Sequence, residues 1–113
     1  MKARRGEVWL VSLDPTKGHE QAGSRPALIL SVDAMNASRA NLVTVLPITS
    51  KARPAVPSRI PVTPPEGGLS ALSYIIGEQV RTISTDRLVK RFGAVSPDTM
   101  ARAEDTVRIL LGL

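Results

Sequence analysis

Four residues of this chain carry side chains that together suit phosphoryl chemistry: His19, Glu20, Arg25 and Thr49. A guanidinium stabilises the extra negative charge that builds on a phosphate. A hydroxyl donates to a non-bridging oxygen, and a carboxylate or an imidazole moves the proton. RNA supplies its own nucleophile, the 2′-hydroxyl, so such a set needs neither a metal nor a Cys or Ser nucleophile. Taken singly, each residue has a plainer reading. Gly18–Gly23 reads as a solvated turn, and Arg25 as a surface ion-pair partner. Thr49 reads as a strand-end residue bonding its own backbone.

Whether the four converge depends on the elements that carry them. Glu7–Leu13 is short, β-branched and apolar on both faces, the pattern of a central strand, and Asp14-Pro15 stops it. The segment from Asp14 to Ser24 is long for a connection in so small a domain, and long loops are often functional. Arg25–Ser31 reads as a second strand, and Leu42–Thr49 as a third whose Pro47 points to an edge or bulge. If these two pair antiparallel, Arg25 at the start of one and Thr49 at the end of the other share one rim. The loop with His19, Glu20 and Gln21 enters at that same rim.

Further along, Asp33–Ser38 reads as a helical turn, and Arg59–Val62 as a short edge strand inside a Pro-rich stretch. Ser73–Ile83 reads as one strand region with a bulge at Gly77, within which Glu78–Arg81 would alternate outward. Leu88–Val95 reads as a last, kinked strand. Ser96-Pro97-Asp98 is a helix start, and Met100, Ala103, Val107, Leu110 and Leu111 then recur at the spacing of a packing stripe. Trp9 is expected in the core. Several short strands and one C-terminal amphipathic helix indicate an α+β domain, a small twisted antiparallel β-barrel spanning residues 1–113.

Composition narrows the chemistry. The chain has 113 residues, no Cys and one His. This excludes disulfides, thiolate zinc sites, a Cys nucleophile and a two-His acid–base pair, so neither a metal site nor a cofactor is expected. Three aromatics argue against a sheet that reads bases on ring platforms. No apolar run nears the ~18 residues of a membrane span, and no secretory segment follows Met1. The expected location is therefore the cytoplasm, without a membrane partner. The net charge is +5, with Arg dominant and the excess concentrated in residues 51–95. Arg grips phosphate in two places at once, so an anionic partner is expected, nucleic acid first.

Three ordered blocks then carry a family resemblance. Arg5–Pro15 with Gly18-His19-Glu20-Gln21 and Gly23-Ser24-Arg25-Pro26 resembles the N-terminal signature of the MazF/PemK/Kid toxins of type II toxin–antitoxin systems. Val45–Ser50 resembles their second signature, and Glu78–Ile83 with Asp86-Arg87-Leu88 their third. The resemblance implies a CcdB-like, Src-homology-3-like barrel acting as a homodimer. It implies a metal-independent endoribonuclease that cuts single-stranded RNA at short sequences, leaves 2′,3′-cyclic phosphate and 5′-hydroxyl ends, and is blocked by a cognate antitoxin. It places Arg25, Thr49, Glu20 and His19 in the catalytic set, and Gln21, Ser50, Lys51, Glu78, Gln79 and Arg81 against RNA. Ile76 stands where Kid-like members carry an arginine, so that role is not transferred. Glu20, His19 and Glu78 all stay open as the base. A gyrase poison of the same fold and a nucleic-acid-binding barrel without turnover are the competing functions. The Arg-Pro and Pro-Ile-Thr-Ser blocks favour the nuclease. An apolar patch for the second copy is expected on the C-terminal helix and the third strand.

Overall fold

The computed structural model describes residues 2–13, 18 and 23–113. Among these, seven strands and two helices follow in the order β1 (Glu7–Ser12), β2 (Ser24–Ile29), α1 (Asp33–Asn36), β3 (Leu42–Thr49), β4 (Arg59–Val62), β5 (Ser73–Ile76), β6 (Arg81–Ser84), β7 (Leu88–Ala94) and α2 (Pro97–Leu111). Every strand pair is antiparallel. The ladder runs β4-β5-β3-β2-β1-β7, with β6 added on β3. His19, Glu20 and Gln21 lie outside the described residues.

β1, β2 and β3 are apolar on both faces because the sheet is covered on both faces. Trp9, Val11, Ala27, Ile29, Val43 and Val45 enter one core. Their neighbours Val8, Leu28, Leu46 and Ile48 enter a second, beneath Ala103 and Val107 of α2. β7 follows β1 with two register shifts, the expected kink. Helix α2 begins where Ser96, Pro97 and Asp98 foretell. The Ser96 hydroxyl accepts from the Thr99 N–H at 3.2 Å, and Gly112 closes the helix in the left-handed region.

Three expectations need correction. Ser73–Ile83 is not one strand: a 3₁₀ turn at Gly77–Gln79 splits it into β5 and β6. Helix α2 presses on that point. A Cβ on Gly77 would lie 2.6 Å from the Thr106 side chain and 2.8 Å from the Ser58 carbonyl. The two strands then pair different stretches of β3, β6 from Leu42 to Val45 and β5 at Ile48 and Thr49. Pro47, which lacks an N–H, sits where the partner changes; β3 is central rather than an edge. Finally, the packing stripe of α2 stops at Val107. Leu110 and Leu111 are exposed, as are Ile109 and Leu113, because the last turn runs past the sheet.

The ladder itself is open, yet its two ends are bridged. The 3₁₀ turn at Glu66–Gly68 lies on β7 so closely that a Cβ on Gly68 would sit 2.1 Å from the Phe92 carbonyl oxygen, and one on Gly93 would sit 2.7 Å from the Gly68 nitrogen. Backbone on backbone here gives the twisted, barrel-like outline without a ladder. Gly68 also has φ +69°. Gly68→Ala should therefore lower stability by more than ~2 kcal/mol, combining left-handed strain with the displacement of β7. A urea midpoint equal to wild type would contradict this packing.

Candidate active site

Antiparallel β2 and β3 pair Ala27 with Pro47, Leu28 with Leu46 and Ile29 with Val45. Continuing that register two residues toward the open end brings Arg25 across from Thr49. Both line one cleft of about 650 Å³. Pro26 biases Arg25 toward extended backbone, and Arg25 is anchored on its other side opposite Val11 of β1. Thr49 is buried, and its Oγ1 accepts from the Lys51 N–H at 3.2 Å. The local backbone bond expected of a strand-end threonine is thus present. It occupies a lone pair and leaves the hydroxyl proton available for a ligand.

Ser24 and Ser50 extend this wall, and Lys51 stands beside it, exposed. Gly23 also lines the cleft, and its carbonyl accepts the Leu13 N–H at 2.9 Å. The chain therefore enters β2 at the cleft rim, whereas His19, Glu20 and Gln21, which precede Gly23 in sequence, lie outside the described residues. The opposite wall is Gly68–Ala71, Ser73 and Phe92. These residues are missing from the sequence-based site. Only the Gly67-Gly68 doublet hints at them, since paired glycines mark a close backbone approach. No acidic residue is found among the described residues that line the cleft.

Glu78, Gln79 and Arg81 do not line it. Glu78 and Gln79 sit in the Gly77–Gln79 turn, and Arg81 opens β6 opposite Val45. The Glu78 carboxylate is engaged on both oxygens. It accepts from the Ser58 hydroxyl at 2.7 Å and from the Arg59 Nε at 2.9 Å. Burial pushes the Glu78 pKa up. The Ser58 hydroxyl, its own backbone N–H and the Arg59 guanidinium outweigh this and hold it below the ordinary value of 4.5.

Residues 4–111 match the family of PemK-like, MazF-like toxins of type II toxin–antitoxin systems, and the chain belongs to that family. It is 35% identical over 114 residues to endoribonuclease MazF9 of Mycobacterium tuberculosis (strain ATCC 25618 / H37Rv), covering 97% of each. A crystal structure of MazF from Deinococcus radiodurans superposes with a TM-score of 0.87 at 26% identity, covering 100% of this chain and 99% of that one. A mycobacterial endoribonuclease in complex with its cognate antitoxin superposes with a TM-score of 0.76 at 25% identity, covering 99% and 95%.

The Glu78 contacts make a pH prediction. A carboxylate held below its unfolded pKa contributes stability that is present above about pH 4.5 and is lost as pH falls through the folded value. Glu78→Gln cannot ionise. It should cost about 1 kcal/mol at pH 7 and flatten the stability curve below pH 4.5, as read by urea unfolding from pH 7 to pH 3. Parallel curves for wild type and variant would mean that the Arg59 contact is energetically idle.

Proposed function

We propose that this toxin is a metal-independent endoribonuclease that cuts single-stranded RNA at short sequences, with Arg25 and Thr49 gripping the scissile phosphate. The observation that carries this reading is their placement across from one another in a single cleft whose described lining holds no acid. The 2′-hydroxyl of the nucleotide before the cut loses its proton and attacks the adjacent phosphorus. Arg25 and the Thr49 hydroxyl stabilise the charge on the non-bridging oxygens. The bond to the 5′-oxygen breaks, and that oxygen takes up a proton. The products are a 2′,3′-cyclic phosphate and a 5′-hydroxyl.

Glu20 and His19, a few residues before Gly23 of the cleft in sequence, are the proposed proton carriers. Glu78 is a poor base: its low pKa and its two occupied oxygens keep it from a substrate proton. Ser50, Lys51 and Gln21 are proposed to contact the RNA backbone near the cut. Gln79 and Arg81 stand further off and would reach only a longer RNA. The protein acts in the cytoplasm, where its RNA is, arrests translation and growth, and is held in check by a cognate antitoxin. Among the described residues no helix is long and apolar enough to cross a membrane.

A homodimer is also proposed. Ile109 and Leu113 are 78% and 83% exposed beside Leu110 and Leu111, an apolar cluster that a second copy would cover. Ile109→Asp with Leu113→Asp should shift sedimentation toward the monomer in the micromolar range. A wild type that is already monomeric there would refute the dimer.

The test of the activity is cleavage of one long RNA in EDTA, with the fragment ends mapped. Cyclic phosphate and 5′-hydroxyl ends are expected, and a 2′-deoxy nucleotide before the cut should abolish cleavage. Arg25→Ala and Thr49→Val should each reduce the rate about 10²–10³-fold, with circular dichroism showing that each variant still folds. Strict magnesium dependence, or cutting at the deoxy position, would overturn the mechanism. Gyrase-dependent DNA breaks with intact RNA would instead favour the gyrase-poison alternative.

A further inference from the structure

Tyr74 stands directly opposite Thr49 in the β3–β5 ladder. Directly opposed residues of antiparallel strands lie about 5 Å apart at Cα, closer than one nucleotide step along an RNA backbone. Tyr74 lines a second cleft, of about 240 Å³, walled by Pro54 and Pro57 of the β3–β4 loop and by Arg53 and Arg59. Its chemistry is specific: one aromatic ring, rigid apolar proline walls and a cation at the rim. This suits a flat group with a π-face and an attached anion, which is a nucleobase with its phosphate. The volume falls below the ~300–1,000 Å³ of drug-sized sites, the scale of a single nucleoside.

The two arginines have different duties. Arg53 is exposed, so it can meet a phosphate. The Arg59 side chain is 9% exposed, and its Nε is bound to Glu78, which Ser58 also holds. Arg59 is therefore fixed in the cleft wall, and its charge is offset by Glu78. Glu78 acts here as a positioning residue for Arg59.

We infer that the Tyr74 cleft is a base subsite: the nucleotide next to the scissile phosphate stacks on Tyr74 while its own phosphate meets Arg53. The inference rests on the endoribonuclease reading above and adds the contact that sets preference at one flanking position. A single ring is consistent with the low aromatic content, because only one base is held this way.

The test uses the full-length protein and an RNA oligomer that contains a mapped cleavage site. Tyr74→Leu should lower the cleavage rate roughly 5- to 150-fold, the range that one base–aromatic stack supplies. It should also flatten preference at one position beside the cut. Tyr74→Phe, which keeps the ring, should recover most of both. An abasic nucleotide at that position should bring wild type down to the Tyr74→Leu level and leave Tyr74→Leu where it is. Losses that simply add, or Tyr74→Phe behaving like Tyr74→Leu, would overturn the stack. Arg53→Ala, in an exposed loop, gives an independent reading should Tyr74→Leu fail to fold. With a 2′-deoxy nucleotide at the cut to prevent turnover, it should weaken binding and reduce the salt slope by about 0.7. An unchanged slope would remove Arg53 from the subsite. If wild type cleaves no RNA at all, the endoribonuclease reading fails, and the subsite with it. If wild type cleaves and Tyr74→Leu matches it in rate and preference, only the subsite fails.

Discussion

The register between β2 and β3 is the constraint on which the site depends, because it alone sets Arg25 opposite Thr49. A slip of one residue would turn every side chain of β2 to the other face. In most sheets the contrast between an apolar and a polar face forbids such a slip. Here both faces are buried, with Ala27 and Ile29 in one core and Leu28 in the other. Hydropathy within the strand is therefore a weak guide to register. Polarity at the strand ends and the shape of each core must supply what is missing. Ser24 is exposed, Arg25 is half-buried and Ser50 is exposed, whereas Ala27–Ile29 and Val45–Ile48 are buried throughout. Sliding β2 inward would carry a guanidinium among aliphatic side chains, at a cost far above that of any single apolar contact. Arg25, the residue proposed to grip the phosphate, thus helps to hold the strand that presents it.

One paired edge makes only half a cleft. The other half comes from the close approach of Gly68 to Phe92 and Gly93, where two backbones meet with no side chain between them. That contact brings Leu69, Ser70 and Phe92 to face Arg25 and Thr49. Phe92 also packs against the second core. The far wall is thereby tied to the same apolar mass that supports β3 from below. Both walls rest on one rigid base, and this favours fixed donor geometry at a phosphate.

Much of this was legible from the residues. β1, the start of β2, the whole of β3, the edge strand at Arg59–Val62 and the start of α2 follow from period, proline placement and capping. The meeting of Arg25 and Thr49 needed only the assumption of antiparallel pairing. Long-range packing hid the rest. Gly77 reads as a bulge until Thr106 of a distant helix is seen pressing on it. Leu110 and Leu111 keep helical spacing beyond the point where any sheet lies beneath them. Ser70, Ser73 and Phe92 carry no local sign that they face a strand some 20 to 70 residues away in sequence. Glu78 stood in a recognisable motif, but its commitment to Ser58 and Arg59 depends on how β4 aligns with β5.

That commitment belongs to a wider division among the arginines. Arg5 pairs with Glu104, Arg59 with Glu78, Arg91 with Glu7 and Arg108 with Asp105. Each of these pairs joins acid to base away from the cleft of Arg25 and Thr49, so their fields largely cancel at a distance. The described lining of the cleft holds Arg25 and no carboxylate. A net charge of +5 is therefore expressed unevenly among the described residues, with Glu7, Glu78, Glu104 and Asp105 set against structural partners and Arg25 in the cleft wall. A cleft with low-dielectric walls concentrates such a field. The same chain that reads as moderately basic in bulk thus sets Arg25 in a wall with no carboxylate among its described residues, where the proposed reaction would build negative charge.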